Sequence, residues 1–276
     1  MTVQVVTDSA SRLPAELRDR WGIREVPLHI LLDDADLRDG VDDIPEDIHK
    51  RHATTAAATP ADLSAVYQQA LADSDGDGVV AVHISSGLSG TYRLAERVAG
   101  DFGVAVRVVD SKSTAMGTGF AVLTAAEAAS AGGDLDAVTK AATAAVDRTH
   151  AYMVVQRLDN LRRSGRIGGA KAWLGTALAL KPLLHIEDGK LVLAQRIRTA
   201  KGAVAALIDQ ICAVVGERSA ALAVHHVGNH GGAQELAAEL AERLPGCDPA
   251  IVTPLGPVLA VHVGAGALAV CLQLAE

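Results

Sequence analysis

The sequence predicts an α/β fold, with an N-terminal parallel sheet that has helices on both faces and a C-terminal α+β domain beside it. Three observations support this prediction. Apolar β-branched runs alternate with helical patterns in the first half, as is typical of buried parallel strands. The second half combines a hairpin pattern with further helices. Charge also differs between the halves, since residues 1–150 hold 13 basic and 23 acidic side chains and residues 151–276 hold 12 and 10. We therefore expect two domains, residues 1–150 and 151–276.

The first domain is expected to contain three strand-and-helix units. The predicted strands are Val3–Val6, Val79–Ile84 and Val104–Val109, and the helices that follow them are Pro14–Trp21, Thr91–Ala99 and residues 119–131. Each strand is followed by a pair of small polar residues, namely Asp8-Ser9, Ser85-Ser86 and Asp110-Ser111. Because ligands bind beyond the carboxyl ends of parallel strands, these pairs are expected to line one binding edge.

The second domain is expected to mix strands and helices. In chain order the predictions are a strand at Tyr152–Gln156, helices at 158–164 and 170–178, a hairpin of Leu183–Ile186 and Leu191–Gln195, a helix at Lys201–Val215, a strand at Ala220–His225, a helix at Ala233–Leu244 and a strand at Ala250–Thr253. The apolar stretch Val258–Ala275 contains His262, Gly264 and Gln273, which favours a buried core segment over a membrane span.

Composition excludes several classes of protein. The chain has 276 residues, of which 49% are apolar, and this is enough to support a sizeable core. The net charge of −8 argues against a nucleic-acid-binding protein. Three isolated cysteines and the lack of a secretory signal indicate a cytoplasmic protein. Only two Phe, three Tyr and two Trp are present, so an internal cavity would have mostly aliphatic walls.

Residues 85–92 (SSGLSGTY) are the strongest candidate for a binding site. They lie between a predicted strand and a predicted helix, where hydroxyls and free N–H groups suit a phosphate or a carboxylate. A plain helix N-cap is an equally good interpretation. The sequence contains no dinucleotide-binding, P-loop or serine-hydrolase motif. An alternative function remains, a metal-dependent small-molecule phosphotransferase or hydrolase that uses Asp8, Asp110 and the serine loops.

Basic residues cluster early in the second domain. The cluster consists of Arg157, Arg162, Arg163, Arg166, Lys171 and Lys181, with Asp159 as the one acid. Such a density favours a docking surface or a clamp for an anionic head group. A solvated helix face is the alternative.

Several motifs, taken in order, resemble those of the DegV family over nearly the whole chain. They are VVTDS (residues 5–9), SSGLSGTY (85–92), VDS (109–111), LDNLRRSGRI (158–167), HIEDGK (185–190), RIRT (196–199) and HVGAG (262–266). The resemblance implies a two-domain fold with a long-chain fatty acid, of the palmitate or oleate class, enclosed between the domains. It implies no catalytic residue, metal or cofactor in this chain.

The resemblance also implies roles for individual residues. Thr55 and Ser86 would bind the fatty acid carboxylate, with Gly87 and His262 beside the same head group. The ATP-binding subunit of a fatty acid kinase would be the partner, and it would dock at Arg198. Arg166 of the basic cluster is the second expected docking residue.

Two motifs depart from the family pattern. A TSQP-like loop is replaced by Thr55 followed by Ala56, Ala57 and Ala58, so only its threonine is kept. An HVGPG-like motif has Ala265 in place of proline, which removes a residue that would stiffen the turn.

Overall fold

The computed structural model describes residues 2–167 and 180–276. Four strands of the N-terminal half form an entirely parallel sheet in the order β2-β1-β6-β7. Their bounds are β1 (Gln4–Asp8), β2 (Arg24–Val26), β6 (Val79–His83) and β7 (Val106–Asp110). All five residues of β6 are buried, as expected for a central strand covered on both faces. The carboxyl ends of the strands meet at one edge, where the Ser111 N–H donates to His83 O at 3.1 Å.

Five helices accompany this sheet. They are α1 (Ala15–Trp21), α2 (Pro60–Ser74), α3 (Thr91–Ala99), α4 (Met116–Ser130) and α5 (Leu135–Asp147). Helices α2 and α3 pack against each other and against the sheet, and α4 and α5 form a second such pair. Thr59 begins α2 with a capping box, because its hydroxyl accepts the Asp62 N–H at 3.1 Å.

A small antiparallel sheet lies between β2 and α2 in the chain. It has the order β4-β3-β5 and consists of β3 (His29–Leu32), β4 (Ala35–Arg38) and β5 (Thr54–Ala56). Thr55 pairs with Ile30 of β3, which is fully buried. His29 on the same strand contacts Asp36 at 2.7 Å and Asp62 at 3.0 Å, so it ties β4 and α2 to β3.

The C-terminal half forms a six-stranded sheet in the order β10-β9-β8-β13-β11-β12. Its strands are β8 (Thr149–Val154), β9 (Lys181–Glu187), β10 (Lys190–Ile197), β11 (Ala220–His226), β12 (Ile251–Pro254) and β13 (Leu268–Leu274). Neighbouring strands are antiparallel except β11 and β12, which are parallel.

Four helices accompany the second sheet. They are α6 (Asp159–Arg163), α7 (Ala200–Val215), α8 (His230–Arg243) and α9 (Gly256–Val263). One face of the sheet packs on α7 and α8 around a separate apolar core. The other face shares its core with the N-terminal half and contacts α4. Helix α9 packs against β3 and β5, so it joins the small sheet to the C-terminal half.

The predicted fold class is confirmed, and most predicted elements are present. The strand expected from Val104 begins at Val106, because Gly100–Ala105 form a 3-10 helix in which Val104 is 80% exposed. The stretch Val258–Ala275 is not one segment, since it divides into the end of α9 and strand β13 around the turn at Gly264. The small antiparallel sheet, α2 and α5 were not predicted. The predicted helix at 170–178 lies outside the described residues.

Candidate functional site

An apolar cavity lies between the two halves of the molecule. It is bordered by β5, by the loops after β6 and β7, by β8, β13 and α9, and by the β9–β10 hairpin. The space between its lining atoms is about 930 Å³, including the part open to solvent. Leucine, isoleucine, valine and alanine provide most of the wall. Among the described lining residues, Tyr152 and His262 are the two with an aromatic ring. The cavity therefore suits a flexible apolar ligand.

Thr55 and His262 form the central polar pair of this cavity. Thr55 Oγ1 lies 2.7 Å from His262 Nε2, and both residues line the cavity wall. Burial, assisted by the positive charge of Arg166, lowers the pKa of His262 to about 4. The imidazole is therefore neutral at physiological pH.

The direction of this hydrogen bond follows from the other ring nitrogen. His262 Nδ1 is buried and has no hydrogen-bond partner among the described residues. A buried N–H without an acceptor is rarer and costlier than a buried nitrogen lone pair, so the proton is assigned to Nε2. Nε2–H then donates to Thr55 Oγ1, and the Thr55 hydroxyl hydrogen is free to donate to an acceptor in the cavity.

Arg166 brings a positive charge to the same region. Its half-buried side chain lines the cavity, and its Nε donates to Leu88 O at 3.4 Å. No carboxylate lies within 4.0 Å of its guanidinium in the part of the chain that the structure describes. A cation without an acidic partner, close to a hydroxyl donor, favours an anionic ligand.

Ser86 and Gly87 lie beside the cavity and do not form its wall. They line an adjoining recess with Arg93 and Gly165, and this recess shares Arg166 with the cavity. The Ser86 N–H donates to Asp110 at 3.2 Å, while its hydroxyl makes no hydrogen bond within the described residues. The Ser86 hydroxyl therefore lies in the recess that adjoins the cavity and makes no hydrogen bond with Thr55 or His262.

Contacts with the β9–β10 hairpin hold the Ser85–Gly87 loop in place. Ser85 Oγ donates to Gly189 O at 2.7 Å across the two halves of the molecule. A Cβ on Gly87 would lie 2.5 Å from the same carbonyl oxygen, so only glycine fits there without a shift of the backbone. The sequence predicts that Ser85 lies in the loop. It does not predict this contact, because the hairpin turn lies 104 residues away in the chain.

A buried hydrogen-bond network of Asp8, His83 and Tyr67 lies next to the loop after β6. Asp8 accepts from the Ile84 N–H at 2.8 Å and contacts His83 Nδ1 at 3.0 Å, while His83 Nε2 lies 2.9 Å from the Tyr67 hydroxyl. All three side chains are fully buried. Asp8 was a candidate metal ligand, yet its oxygens are used for these internal contacts and for the Ala10 N–H. Among residues 2–167 and 180–276, no group of three or more His, Cys, Asp or Glu has the geometry of a metal site.

Comparison with known proteins assigns the chain to a family. The family model described as "Uncharacterised protein, DegV family" matches residues 2–274. A DegV domain-containing protein of Mycobacterium tuberculosis is 68% identical over 274 residues, which cover 99% of this chain and 98% of the relative. The chain belongs to the DegV family.

Solved DegV structures share the fold over the full length. A DegV family protein from Thermus thermophilus, described by its fatty acid binding, has a TM-score of 0.90 at 34% identity, with 100% of each chain covered. DegV from Bacillus subtilis, described as a fatty acid binding protein, has a TM-score of 0.89 at 28% identity, again with 100% of each chain covered.

One of the two departures from the DegV motifs lies in the cavity wall, and the other lies in the turn after α9. Ala56 and Ala57 line the cavity beside Thr55, and Ala58 is buried, so this loop adds apolar surface next to the polar pair. The Gly264 and Gly266 backbones have φ of 79° and 74°, and the Gly266 N–H donates to Val227 O at 2.8 Å. The turn after α9 is therefore fixed by its glycines and by this hydrogen bond, without proline.

Arg198 lies outside the DegV cavity. It is exposed and follows β10, just before Thr199 caps α7 by accepting the Gly202 N–H at 3.1 Å. Arg198 does not line the cavity. Arg166, the other expected docking residue, does line it. No helix in the described part of the chain is long and apolar enough to cross a membrane.

Proposed function

We propose that this protein binds a long-chain fatty acid in the cavity between its two halves. The observation that carries the proposal is the Thr55–His262 hydrogen bond, which leaves a hydroxyl donor in a largely aliphatic cavity. A fatty acid matches this environment, because its carboxylate accepts hydrogen bonds and its tail is apolar. Solved DegV structures that are described as fatty acid binding proteins support the same ligand.

The carboxylate would be bound at the polar end of the cavity. The Thr55 hydroxyl donates to it, and neutral His262 holds that hydroxyl in orientation. Arg166 would compensate the negative charge, and Ser86 and the Gly87 backbone, which line the adjoining recess, would complete the head-group surroundings. Hydrogen bonds to a charged acceptor contribute about 1.5–3 kcal/mol each.

The acyl tail would provide most of the affinity. Burial of each methylene contributes about 0.8 kcal/mol, so a chain of roughly fourteen methylenes gains on the order of 11 kcal/mol before association costs. The aliphatic wall therefore provides the larger part of the affinity, and the polar end fixes the orientation of the ligand and adds the smaller part.

The protein would act as a binding subunit with no catalytic residue or cofactor of its own. In this role it would present the carboxylate to the ATP-binding subunit of a fatty acid kinase in the cytoplasm, and that subunit would form the acyl phosphate. Exposed Arg198 is a suitable docking contact because it lies at the surface, outside the cavity wall.

Extraction of the purified protein with organic solvent, followed by mass spectrometry, tests the binding proposal. We expect one dominant class of long-chain fatty acid at close to one molecule per chain. A protein that carries no fatty acid, and takes up neither palmitate nor oleate when they are added, would rule the proposal out.

A further inference from the structure

Helix α9 carries His262 and joins the two halves of the molecule. It belongs to the C-terminal half in the chain, yet it packs against β3, β5 and the 3-10 helix Ser9–Ser11 of the N-terminal half. His262 is the seventh of its eight residues. Because a helix rises about 1.5 Å per residue, His262 lies roughly 9 Å along the axis from the first residue of α9. A shift at the start of this short helix would therefore move His262 relative to Thr55.

Arg12 of the N-terminal half contacts the start of α9. Its guanidinium lies so close to Gly256, the first residue of the helix, that a Cβ on that glycine would overlap it, at 2.7 Å from Arg12 Nε. Arg12 Nε also donates to Pro254 O at 3.4 Å. Gly256 has a φ of 73°, which glycine adopts without strain. Arg12 thus contacts the chain on both sides of Leu255, a residue of the cavity wall.

Asp39 pairs with the same guanidinium. Its carboxylate lies 3.7 Å from Arg12 Nη1, and the residue is only 3% exposed. Burial raises the pKa of Asp39, and the positive charge of Arg12 counteracts this rise. The Asp39 N–H donates to Leu28 O at 2.8 Å, and Leu28 lines the cavity. The Arg12–Asp39 pair therefore adjoins two cavity residues, Leu28 and Leu255.

This ion pair is not an arrangement that the stability of α9 alone would favour. The helix dipole opposes a cation at a helix N-terminus, and burial of the Asp39 carboxylate adds a cost of desolvation. A buried ion pair contributes little net stability, although loss of one partner is strongly destabilising. The pair fits a role in fixing one arrangement of α9 on the N-terminal half.

We propose that Arg12 is a positioning residue for the Thr55–His262 pair. Held by Asp39, its guanidinium fixes the start of α9 and so keeps His262 Nε2 at the observed 2.7 Å from Thr55 Oγ1. Arg12 is not among the described residues that line the cavity, so its effect on a ligand passes through α9. The role rests on the proposed fatty acid binding, and it concerns the selection of a charged head group over an uncharged one.

Arg12→Met tests the proposal through ligand preference. Delipidated protein is titrated with palmitate and with methyl palmitate, which has the same tail but no charged carboxylate. Palmitate affinity should fall by about tenfold, the lower end of what a hydrogen bond to a charged acceptor contributes, while affinity for the ester stays within about twofold. A merely structural role for Arg12 would weaken both ligands alike, or would change stability and leave the preference as it is.

A double variant and a control complete this test. Arg12→Met alone leaves Asp39 buried without its partner, which is strongly destabilising. Arg12→Met/Asp39→Asn removes both charges at similar side-chain size, and it should show the same loss of preference for the free acid. Arg24→Met is the matched control, since Arg24 pairs with Asp73 within the N-terminal half at a similar side-chain exposure, 26% against 21% for Arg12. It should keep the wild-type preference.

Gly256→Ala tests the contact from the side of the helix. The new methyl group would displace the guanidinium of Arg12, so the preference for palmitate should fall as it does in Arg12→Met. Gly22→Ala is the control, because Gly22 also has a positive φ, of 62°, but no atom within 4 Å of the position a Cβ would take. Both substitutions should lower stability through backbone strain, and only Gly256→Ala should change the preference.

Two outcomes would contradict different parts of the account. If the double variant and Gly256→Ala keep the wild-type preference for palmitate, the proposed role of Arg12 is overturned. A wild-type protein that binds neither palmitate nor its methyl ester would instead refute the proposed fatty acid site, so the two failures are distinguishable.

Discussion

Thr55 Oγ1 lies 2.7 Å from His262 Nε2, and this hydrogen bond joins residues 207 positions apart in the chain. Thr55 comes from a three-residue strand of the small sheet, and His262 from a helix that packs against that strand. The pair therefore forms only when the N-terminal and C-terminal halves are assembled. Binding of a carboxylate at this pair would depend on that assembly.

Thr55→Val should weaken palmitate binding by about tenfold to hundredfold, because it removes a hydrogen bond to a charged acceptor that is worth about 1.5–3 kcal/mol. Isothermal titration of delipidated protein measures the change. Thr54→Val, at an exposed position of the same strand, is the control and should bind as the wild type does. Thr55→Ser should restore most of the affinity. Equal affinity in wild type and Thr55→Val would remove Thr55 from the head-group site.

Gly87→Ala should destabilise the contact between the serine loop and the hairpin. The new Cβ would lie 2.5 Å from Gly189 O, so the turn must move and the Ser85–Gly189 hydrogen bond must lengthen. We expect a loss of about 1–3 kcal/mol in the free energy of unfolding and faster release of bound fatty acid. Urea unfolding and stopped-flow displacement measure the two effects.

Gly90→Ala is the matched control for this substitution. Gly90 belongs to the same loop, has a φ of −74°, and has no atom within 4 Å of the position a Cβ would take. It should leave stability and release rate nearly unchanged. If Gly87→Ala behaved like Gly90→Ala, the close approach of loop and hairpin would be refuted.

Acid should destabilise the protein through buried histidines, and His225 offers the clearest test. Burial lowers the pKa of His225 to about 3, and its Nε2 accepts the Met116 N–H at 3.2 Å. The unfolded chain protonates this group near pH 6.5, whereas the native protein keeps it neutral. The contribution of His225 to stability is therefore complete above about pH 6.5 and is lost as the pH falls from there toward 3.

His225→Gln should reduce the pH dependence of stability. The free energy of unfolding, measured in urea between about pH 5 and pH 6.5, should fall with acid less steeply than in the wild type, by up to about 1.4 kcal/mol per pH unit. His52→Gln, at an exposed position, is the control. An identical slope in wild type and His225→Gln would show that His225 takes up a proton in the folded state.

Arg198→Ala should separate lipid binding from partner docking. Arg198 is exposed and lies outside the cavity wall, so palmitate affinity should stay within about twofold of the wild type. Phosphorylation of the bound acid by the kinase subunit should fall by about thirtyfold, as expected when an arginine central to an interface is truncated. Arg196→Ala, exposed and two residues earlier, is the control. Loss of palmitate binding in Arg198→Ala would place Arg198 in the binding site.

Much of the fold could be predicted from local pattern. Strands such as β6 are continuous apolar runs, and the hairpin turn at Asp188-Gly189 has the expected turn residues. The small sheet could not be predicted, because strands of three or four residues with polar side chains, such as Thr54–Ala56, carry no periodic signal. Helix α2 was missed since its sequence shows only a weak apolar stripe. Helix α5 carries a clear stripe that includes Val138, Ala142 and Ala145, so its sequence pattern could have predicted it.

The candidate site was harder to predict than the fold. Thr55 and His262 were named through family resemblance, and nothing in their local sequence indicates that they meet. Arg166 belongs to the basic cluster that was expected to form a docking surface or a clamp for an anionic head group, and the structure places it in the cavity wall beside His262. The position of Arg166 depends on the turn after α6, which brings its Nε to Leu88 O. These two residues are 78 positions apart, so the local sequence does not predict the contact.

Uptake of palmitate by delipidated protein tests the central claim most directly. Native mass spectrometry should show one palmitate per chain, and titration should show much weaker binding of methyl palmitate, which has the same tail but no charged carboxylate for Thr55 and Arg166. Thr55→Val should reduce this preference for the free acid. No palmitate adduct, or equal binding of palmitate and its methyl ester, would contradict the assignment of this cavity as a fatty acid site.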